Sequence, residues 1–381
     1  ETRMKLEDIR PEIDQVDDQL AALIRKRFEL VEQVAAIKKE QNLPVADSSR
    51  ERDIINRLSK DDSEEMRGYL KIFFHTLFDL SRSHQLRFIH TESKTAEVMA
   101  KALQETPQMF PKSAVVACQG AEGANSTQAS EKFFSHPSIM YFNTFEGVFY
   151  AVDKGMCQYG ILPLENNLHG SVTEIYDLMH QYRFYIAKSL KLKINHVLLA
   201  KPGTKLSEIK KIYSHEQALA QCGNFLKTLK ATVEPCENTA MAARHVAAST
   251  EKGVAAISSA YCADLYNLEI IKEGIQNSDN NYTKFICISK KPEIYPGSNK
   301  ISIMVILSHR PGALYHFMSK FAAYDVNLTK IESRPIPDSD FDFSFFFDFD
   351  ISVYDESLAS LFAQLEDSTK QFAFLGCYTE Q

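Results

Sequence analysis

Hydrophobic positions change their spacing twice along the chain. Leu6, Ile9, Ile13, Val16, Leu20 and Leu23, then Leu30, Val34 and Ile37, follow gaps that alternate three and four. That heptad seam predicts one helix from about Lys5 to Glu40, with Pro11 in its first turns. Such a helix is about 54 Å long, more than one small domain can cover. Its seam is therefore expected to pair with a second copy of the chain. The seam position after Leu23 holds Arg27, and Lys38 lies about 20° from it around the helix. Val31 and Val34 sit between these cations. Either cation alone reads as a side chain snorkelling at the edge of a core. Pro44 closes this helix. Ser48 and Glu51 have capping-box spacing before a second helix, Arg50 to Leu58. A third runs from about Ser63 to Phe88, and its stripe of Phe74 and Phe78 turns polar at Ser81 and Gln85. A helix end emerging into solvent fits that change as well as a buried polar site does.

The stretch from His90 to Pro111 is polar, holds two prolines, and reads as a helix tail and linker. From Ser113 onward strand-like and helix-like runs alternate. Strands are expected at Ala114–Cys118, Tyr159–Leu162, Ile186–Leu192, His196–Ala200, Val254–Ile257 and Asn281–Ile288. Helices are expected at Phe145–Lys154, Val172–Tyr182 and Thr239–Ala248. Pro163 is expected to end its strand, and Ser171 to cap the helix that follows. Parallel β/α order predicts two α/β lobes around a cleft. Polar clusters fall at the strand ends: Gly120–Ser126, Glu165–Ser171, Ser214–Gln217 and Asn281–Lys284. Each alone is ordinary turn chemistry. From Asn299 the order strand, helix, strand, strand, helix, strand predicts an α+β, ferredoxin-like segment. Phe341, Phe343, Phe345, Phe347 and Phe349 alternate there, so one face of the sheet takes all five.

Composition narrows the function. A formal net charge of −7 and a pI near 5.9 give no footprint for nucleic acid. No apolar run approaches the ~20 residues that span a bilayer, and the first residues carry no signal-peptide pattern, Glu1 to Arg3 reading as a remnant before Met4. The seven cysteines are scattered, odd in number and without Cys-x-x-Cys. A reduced, cytoplasmic protein with no metal is expected. The glycines of Gly120–Gly123 have neither dinucleotide nor phosphate-loop spacing, which removes a nicotinamide enzyme from consideration.

The helical segment resembles the all-helical chorismate mutases, intertwined dimers whose long first helix spans both subunits. Arg10, Arg27, Lys38, Asp47, Arg50, Glu51, Ser81 and Gln85 match that family's motif. The resemblance implies Arg10 from the partner subunit, with Arg27 and Arg50, on the two carboxylates of chorismate. Lys38 and Gln85 would meet the ether oxygen, and Glu51 and Ser81 the ring hydroxyl. The middle segment resembles prephenate dehydratase through Gly120-x-x-Gly123-x-x-Ser126, Pro163-x-Glu165-Asn166 with Gly170-Ser171, Tyr213-Ser214-His215-x-Gln217 and Asn281-x-Thr283-Lys284-Phe285. It departs at Ala121 and Asn125, and at Lys284, where the family has arginine and a bidentate fork is lost. The match implies Thr283 at the departing hydroxyl of prephenate, Lys284 on a substrate carboxylate, and Glu165, Asn166, Ser171, Ser214 and Gln217 shaping the pocket. The last segment resembles an ACT domain. Gly312-Ala313-Leu314 and Glu332-Ser333-Arg334-Pro335 match its phenylalanine-sensing form.

Three domains are thus expected: residues 4–92 all-α, 112–291 two-lobed α/β and 299–379 regulatory. The implied protein is a bifunctional, cofactor-free homodimer or higher oligomer, inhibited by L-phenylalanine. The alternative is an amino-acid-responsive regulator with an active mutase and a decayed dehydratase. A chain ending near Lys291 is expected to stay active without the response.

Overall fold

The computed structural model describes residues 6–89, 92–336 and 342–381. Phe341, His90 and the helix start expected near Lys5 lie outside them. Four helices come first: α1 (Leu6–Glu40), α2 (Ser48–Leu58), α3 (Glu64–Phe88) and α4 (Lys94–Glu105). Asp47, rather than Ser48, caps α2 and accepts from Arg50 N at 3.0 Å. Ser63 and Ser93 do the same for α3 and α4. Most of the heptad seam is exposed in the single chain, Leu23 to 63%.

α4 corrects the linker expected at 90–111. It buries Met99 and Ala102 in the core of the C-terminal domain. So few buried positions in three turns leave little periodic signal in a polar stretch.

The middle segment holds two sheets. The larger runs His136–Phe142, Ser113–Gln119, Tyr159–Asn166, Tyr282–Ser289, Tyr185–Lys193, with Gly170–Ser171 added beside Tyr159–Asn166. The smaller runs Glu269–Lys272, Val197–Ala200, Val254–Ser258, Lys211–Ser214, Thr232–Pro235. The expected parallel order holds around Ser113–Gln119 and Lys211–Ser214. Tyr282–Ser289 and Val197–Ala200, where the chain crosses between lobes, pair antiparallel. The helix Thr173–Tyr182 has no side-chain cap, because Ser171 is taken up in the short strand instead.

Pro163 does not end its strand. Tyr159–Asn166 continues through it at a register shift, where Phe285 faces Pro163 and Lys284 already faces Glu165. Leu164 is the extra residue, and a bulge is where a sheet tolerates a residue without an N–H.

The C-terminal segment is an antiparallel sheet ordered Asn327–Pro335, Phe343–Asp350, Lys300–Ile306, Gln371–Tyr378, with the helices Ala313–Ala323 and Leu358–Asp367. Phe347 and Phe349 are fully buried on the helix side, with Phe345 packed beside them. Phe343 is 39% exposed, because it opens its strand at the sheet's end. Phe346 points the opposite way, into a core shared with Tyr176, Ile286 and Ile288 of the middle segment. One hydrophobic core therefore runs through both domains. Among the described residues no helix is long and apolar enough to cross a membrane.

Candidate active sites

The first polar group gathers where α1, α2 and α3 meet. Arg27, Val31, Ala35 and Lys38 follow at spacings of four, four and three, so they form one stripe of α1. Val31 and Ala35 are buried. Val34 is 41% exposed and belongs to the outer seam, which corrects its placement between the cations. The Arg27 guanidinium donates to Ser81 Oγ and lies 5.8 Å from the Phe78 ring centroid. Ser81 donates to Leu77 O at 2.6 Å. Gln85, one turn on, donates to Ser81 O at 3.3 Å, and its Oε1 is buried without a partner among the described residues. A buried amide oxygen left unpaired is costly, so this one has bonding capacity in reserve. The polar end of the α3 stripe is thus a buried site rather than an emerging helix end: Ser81 and Gln85 are 4% and 7% exposed.

Lys38 Nζ donates to Val45 O at 2.6 Å. Burial lowers the Lys38 pKa, against the pull of Asp47 and Glu51. Burial lowers that of Arg27 too, against the pull of Glu51. Glu51 thus stands within electrostatic reach of both cations. It is ion-paired with Arg82, which the sequence did not single out. Arg50 is exposed, and Asp47 is exposed with its carboxylate engaged as a helix cap. Arg10 lies seventeen residues before Arg27, about 25 Å along the helix, beyond reach of this group in its own chain.

The second group is built on the paired strands Tyr159–Asn166 and Tyr282–Ser289. Thr283 faces Asn166 and Lys284 faces Glu165, and cross-strand partners share a face. Asn166 Nδ2 donates to Thr283 Oγ1 at 3.0 Å and to Asn281 Oδ1 at 2.8 Å. Asn166 Oδ1 is fixed in turn by the N–H groups of Leu168 and His169. Thr283 Oγ1 therefore accepts from its neighbour and keeps its own proton to donate. Asn281 Nδ2 donates to Gln221 Oε1 at 3.1 Å, which also meets His196 Nε2 at 2.6 Å. This chain of amides ties the larger sheet to the second lobe. Gln221 and His196 lie outside the clusters that the sequence marked. At Gly123 (φ +92°) an added Cβ would stand 2.8 Å from Cys262 Sγ, so only glycine lets the Gly120–Ser126 loop press on the second lobe.

Glu165, Ser171 and Lys284 do not join Thr283, contrary to expectation. They lie on the other face, against the C-terminal domain. Lys284 Nζ pairs with Asp348 at 3.3 Å and Glu380 at 3.1 Å. Burial alone would lower its pKa, but these two carboxylates raise it. Lys330 donates to Glu165 Oε2 at 2.9 Å and to Ser171 Oγ at 2.7 Å, and Ser171 donates to Glu332 Oε2 at 2.5 Å. The bulge at Leu164 is the reason, since it sends Leu164 and Glu165 to the same side. Ser214 is fully buried and donates to Ile257 O at 2.7 Å. His215 caps its helix at Gln217 N, and Gln217 is exposed. Neither Ser214 nor Gln217 hydrogen-bonds to Thr283.

In the C-terminal domain Gly312 (φ +79°) caps the helix Ala313–Ala323, and Leu314 packs on the core behind it. Arg334 grips Asp177 through Nε and Nη2 at 2.9 and 2.8 Å, and Ser333 is exposed between Glu332 and Arg334. Glu332 and Arg334 thus touch the middle segment. Arg334, Ser344 and Ile306 are in register across three strands, so Arg334 lies about 10 Å from the strand end that leads to Gly312.

Both groups coincide with known families. The chorismate mutase type II family model matches residues 9–86, and the prephenate dehydratase model matches 116–293. The chain joins a chorismate mutase domain to a prephenate dehydratase domain. Over 377 residues, 98% of each chain, it is 29% identical to a bifunctional chorismate mutase/prephenate dehydratase of Aquifex aeolicus. It is 38% identical to arogenate dehydratase 2 of Petunia hybrida over 224 residues, which are 58% of this chain and 57% of that one. The chain thus spans little more than half the length of that plant relative. A crystal structure of prephenate dehydratase from Arthrobacter aurescens in complex with L-Phe superposes with a TM-score of 0.63 at 27% identity, covering 70% of this chain and 89% of the other. The dehydratase match runs over residues 116–293 with Thr283 and Asn166 in contact, and there is no sign of a decayed dehydratase.

Proposed function

We propose that the mutase domain rearranges chorismate to prephenate and that the dehydratase domain converts prephenate to phenylpyruvate, under feedback from L-phenylalanine at the C-terminal, ACT-like domain. The observation that carries this reading is the α1 stripe. Two cations with depressed pKa values flank a buried Val31–Ala35 strip and lie in the field of Glu51, and Arg27 meets Ser81, one turn before the buried Gln85. A pericyclic rearrangement needs no covalent catalyst, only a restrained conformation and charge where the C–O bond breaks. Arg27 suits a substrate carboxylate and Lys38 the ether oxygen. Gln85 completes the latter, while Glu51 and Ser81 take the ring hydroxyl. Arg50 is free to swing onto a carboxylate. Arg10 would arrive from a second copy packed on the exposed seam.

In the dehydratase domain, loss of CO2 and of the ring hydroxyl is driven by aromatisation. Thr283, its oxygen held by Asn166, would donate to the departing hydroxyl, with Ser214 and Gln217 on the opposing lobe. Glu165, Ser171 and Lys284 would shape the pocket from behind. L-phenylalanine would use Gly312, Ala313 and Leu314 with Glu332, Ser333 and Arg334, its carboxylate meeting backbone N–H groups at the helix start. Support comes from the L-Phe complex of the Arthrobacter relative. Two domains paired along the edge strand Asn327–Pro335 would bury the ligand. A cytoplasmic, metal- and cofactor-free homodimer or larger oligomer completes the reading.

Feeding chorismate to the purified protein without nicotinamide should yield phenylpyruvate. Arg27→Ala should cut mutase turnover about a hundredfold or more and spare turnover of added prephenate, while Thr283→Ala should do the reverse. Prephenate accumulating alone would leave only the mutase. Preference for arogenate over prephenate would align the second site with the plant relative.

A further inference from the structure

Arg82 stands where α3 packs on α2. Its guanidinium is shared between Glu51 on α2 and Asp79 one turn earlier on α3. Burial alone would lower its pKa, yet Asp79 and Glu51 raise it, so it is a fixed cation. The second oxygen of Asp79 meets His316 Nδ1 at 2.9 Å and accepts from Ser319 Oγ at 3.5 Å. Both partners lie on the helix Ala313–Ala323 of the C-terminal domain. An unbroken polar chain therefore runs from Glu51 through Arg82 and Asp79 to the helix that Gly312 opens.

We propose that Arg82 is a positioning residue for the mutase reaction: it aims the Glu51 carboxylate at the substrate's ring hydroxyl and, through Asp79 and His316, ties it to the C-terminal domain. This rests on reading Glu51 as the hydroxyl-binding carboxylate. The physical case is one of choice among cations. Glu51 lies in the field of Arg27 and Lys38 as well, yet among the described residues its side chain hydrogen-bonds only to Arg82. Released, it would swing toward the two cations that the substrate's carboxylates and ether oxygen need. A hydroxyl contact exists in both bound substrate and transition state, so its loss falls mainly on KM.

Mutase kinetics on the full-length protein test this. Arg82→Met should raise KM for chorismate about tenfold, the size of one lost charge-assisted hydrogen bond, with kcat within about twofold. Arg82→Lys should recover most of that loss. His316→Asn should give a smaller rise in the same direction, and keeps the test open should Arg82→Met misfold. In a Glu51→Gln background Arg82→Met should add little, as a coupled pair requires. Turnover of added prephenate should be unchanged in the Arg82 and His316 variants. An unmoved KM in Arg82→Met and His316→Asn, or equal losses with and without Glu51, would overturn the proposal. A silent Glu51→Gln would instead remove the reading of Glu51 on which it rests.

Discussion

At the scale of single residues, the mutase group turns on cations kept charged where burial opposes it. In the proposed mechanism Lys38 holds its proton to meet an oxygen that becomes negative. Its pKa is lowered from 10.5 by burial, so the cation is lost at a lower pH than on an exposed lysine. Mutase kcat/KM should therefore fall along an alkaline limb below the ordinary lysine range, and Lys38→Arg should move that limb upward, since guanidinium stays charged. A limb indifferent to Lys38→Arg would take Lys38 out of the charge stabilisation. Arg27 and Lys38 were legible in the sequence because each interrupts an apolar stripe. Ala35, the centre of that stripe, carried no such signal, being small and unremarkable at any position. Arg82 stayed hidden for a different reason: its partner Glu51 lies on another helix, and local spacing records only the ordinary i,i+3 pair with Asp79.

At the scale of elements, one strand serves two faces. Asn166 holds Thr283 on the cleft side, while Glu165, its chain neighbour, meets Lys330 on the other. Glu332 and Arg334 are held by Ser171 and Asp177, so a ligand that recruits them must loosen these contacts. That differential is what coupling between sites requires. On the proposed feedback by L-phenylalanine, Lys330→Met should therefore leave basal dehydratase turnover and heat of ligand binding near normal, and weaken inhibition several-fold. Inhibition undiminished, with binding intact, would place the coupling elsewhere. The sequence showed the motif but not the facing of its members. Alternation from Ile161 predicts Glu165 in the cleft, and a bulge, invisible to alternation, reverses it.

For the whole molecule, the domains are less separable than their sequence patterns imply. Phe346, Leu375 and Tyr378 share a core with Ile286 and Ile288, and the last residues pair with the dehydratase sheet, Gln381 N to Ser189 O at 2.9 Å. Cutting after Lys291 would expose that face, so the expectation of an active truncated chain does not survive the structure. The helical end offers a cleaner dissection. Leu20 and Leu23 are 42% and 63% exposed on the seam, and a double change to Asp should yield monomers by light scattering. Mutase activity should then fall about a hundredfold or more if the proposed Arg10 of a second copy is lost with it, while dehydratase activity is largely kept. Mutase activity persisting in monomers would mean that Arg10 is not needed from a second copy.

The strand Tyr159–Asn166 uses eight residues where its partner, Thr283–Ser289, uses seven. The surplus is length in reserve. Deleting Leu164 should draw the strand straight and leave Asn166 opposite Thr283 and Glu165 opposite Lys284. Adding one alanine at the same point has no such reserve: the second extra residue must either buckle the sheet or turn Asn166 away from the cleft. Gains and losses of a single residue should therefore be unequal here, with the shortened chain still forming phenylpyruvate from prephenate and the lengthened one forming only prephenate from chorismate.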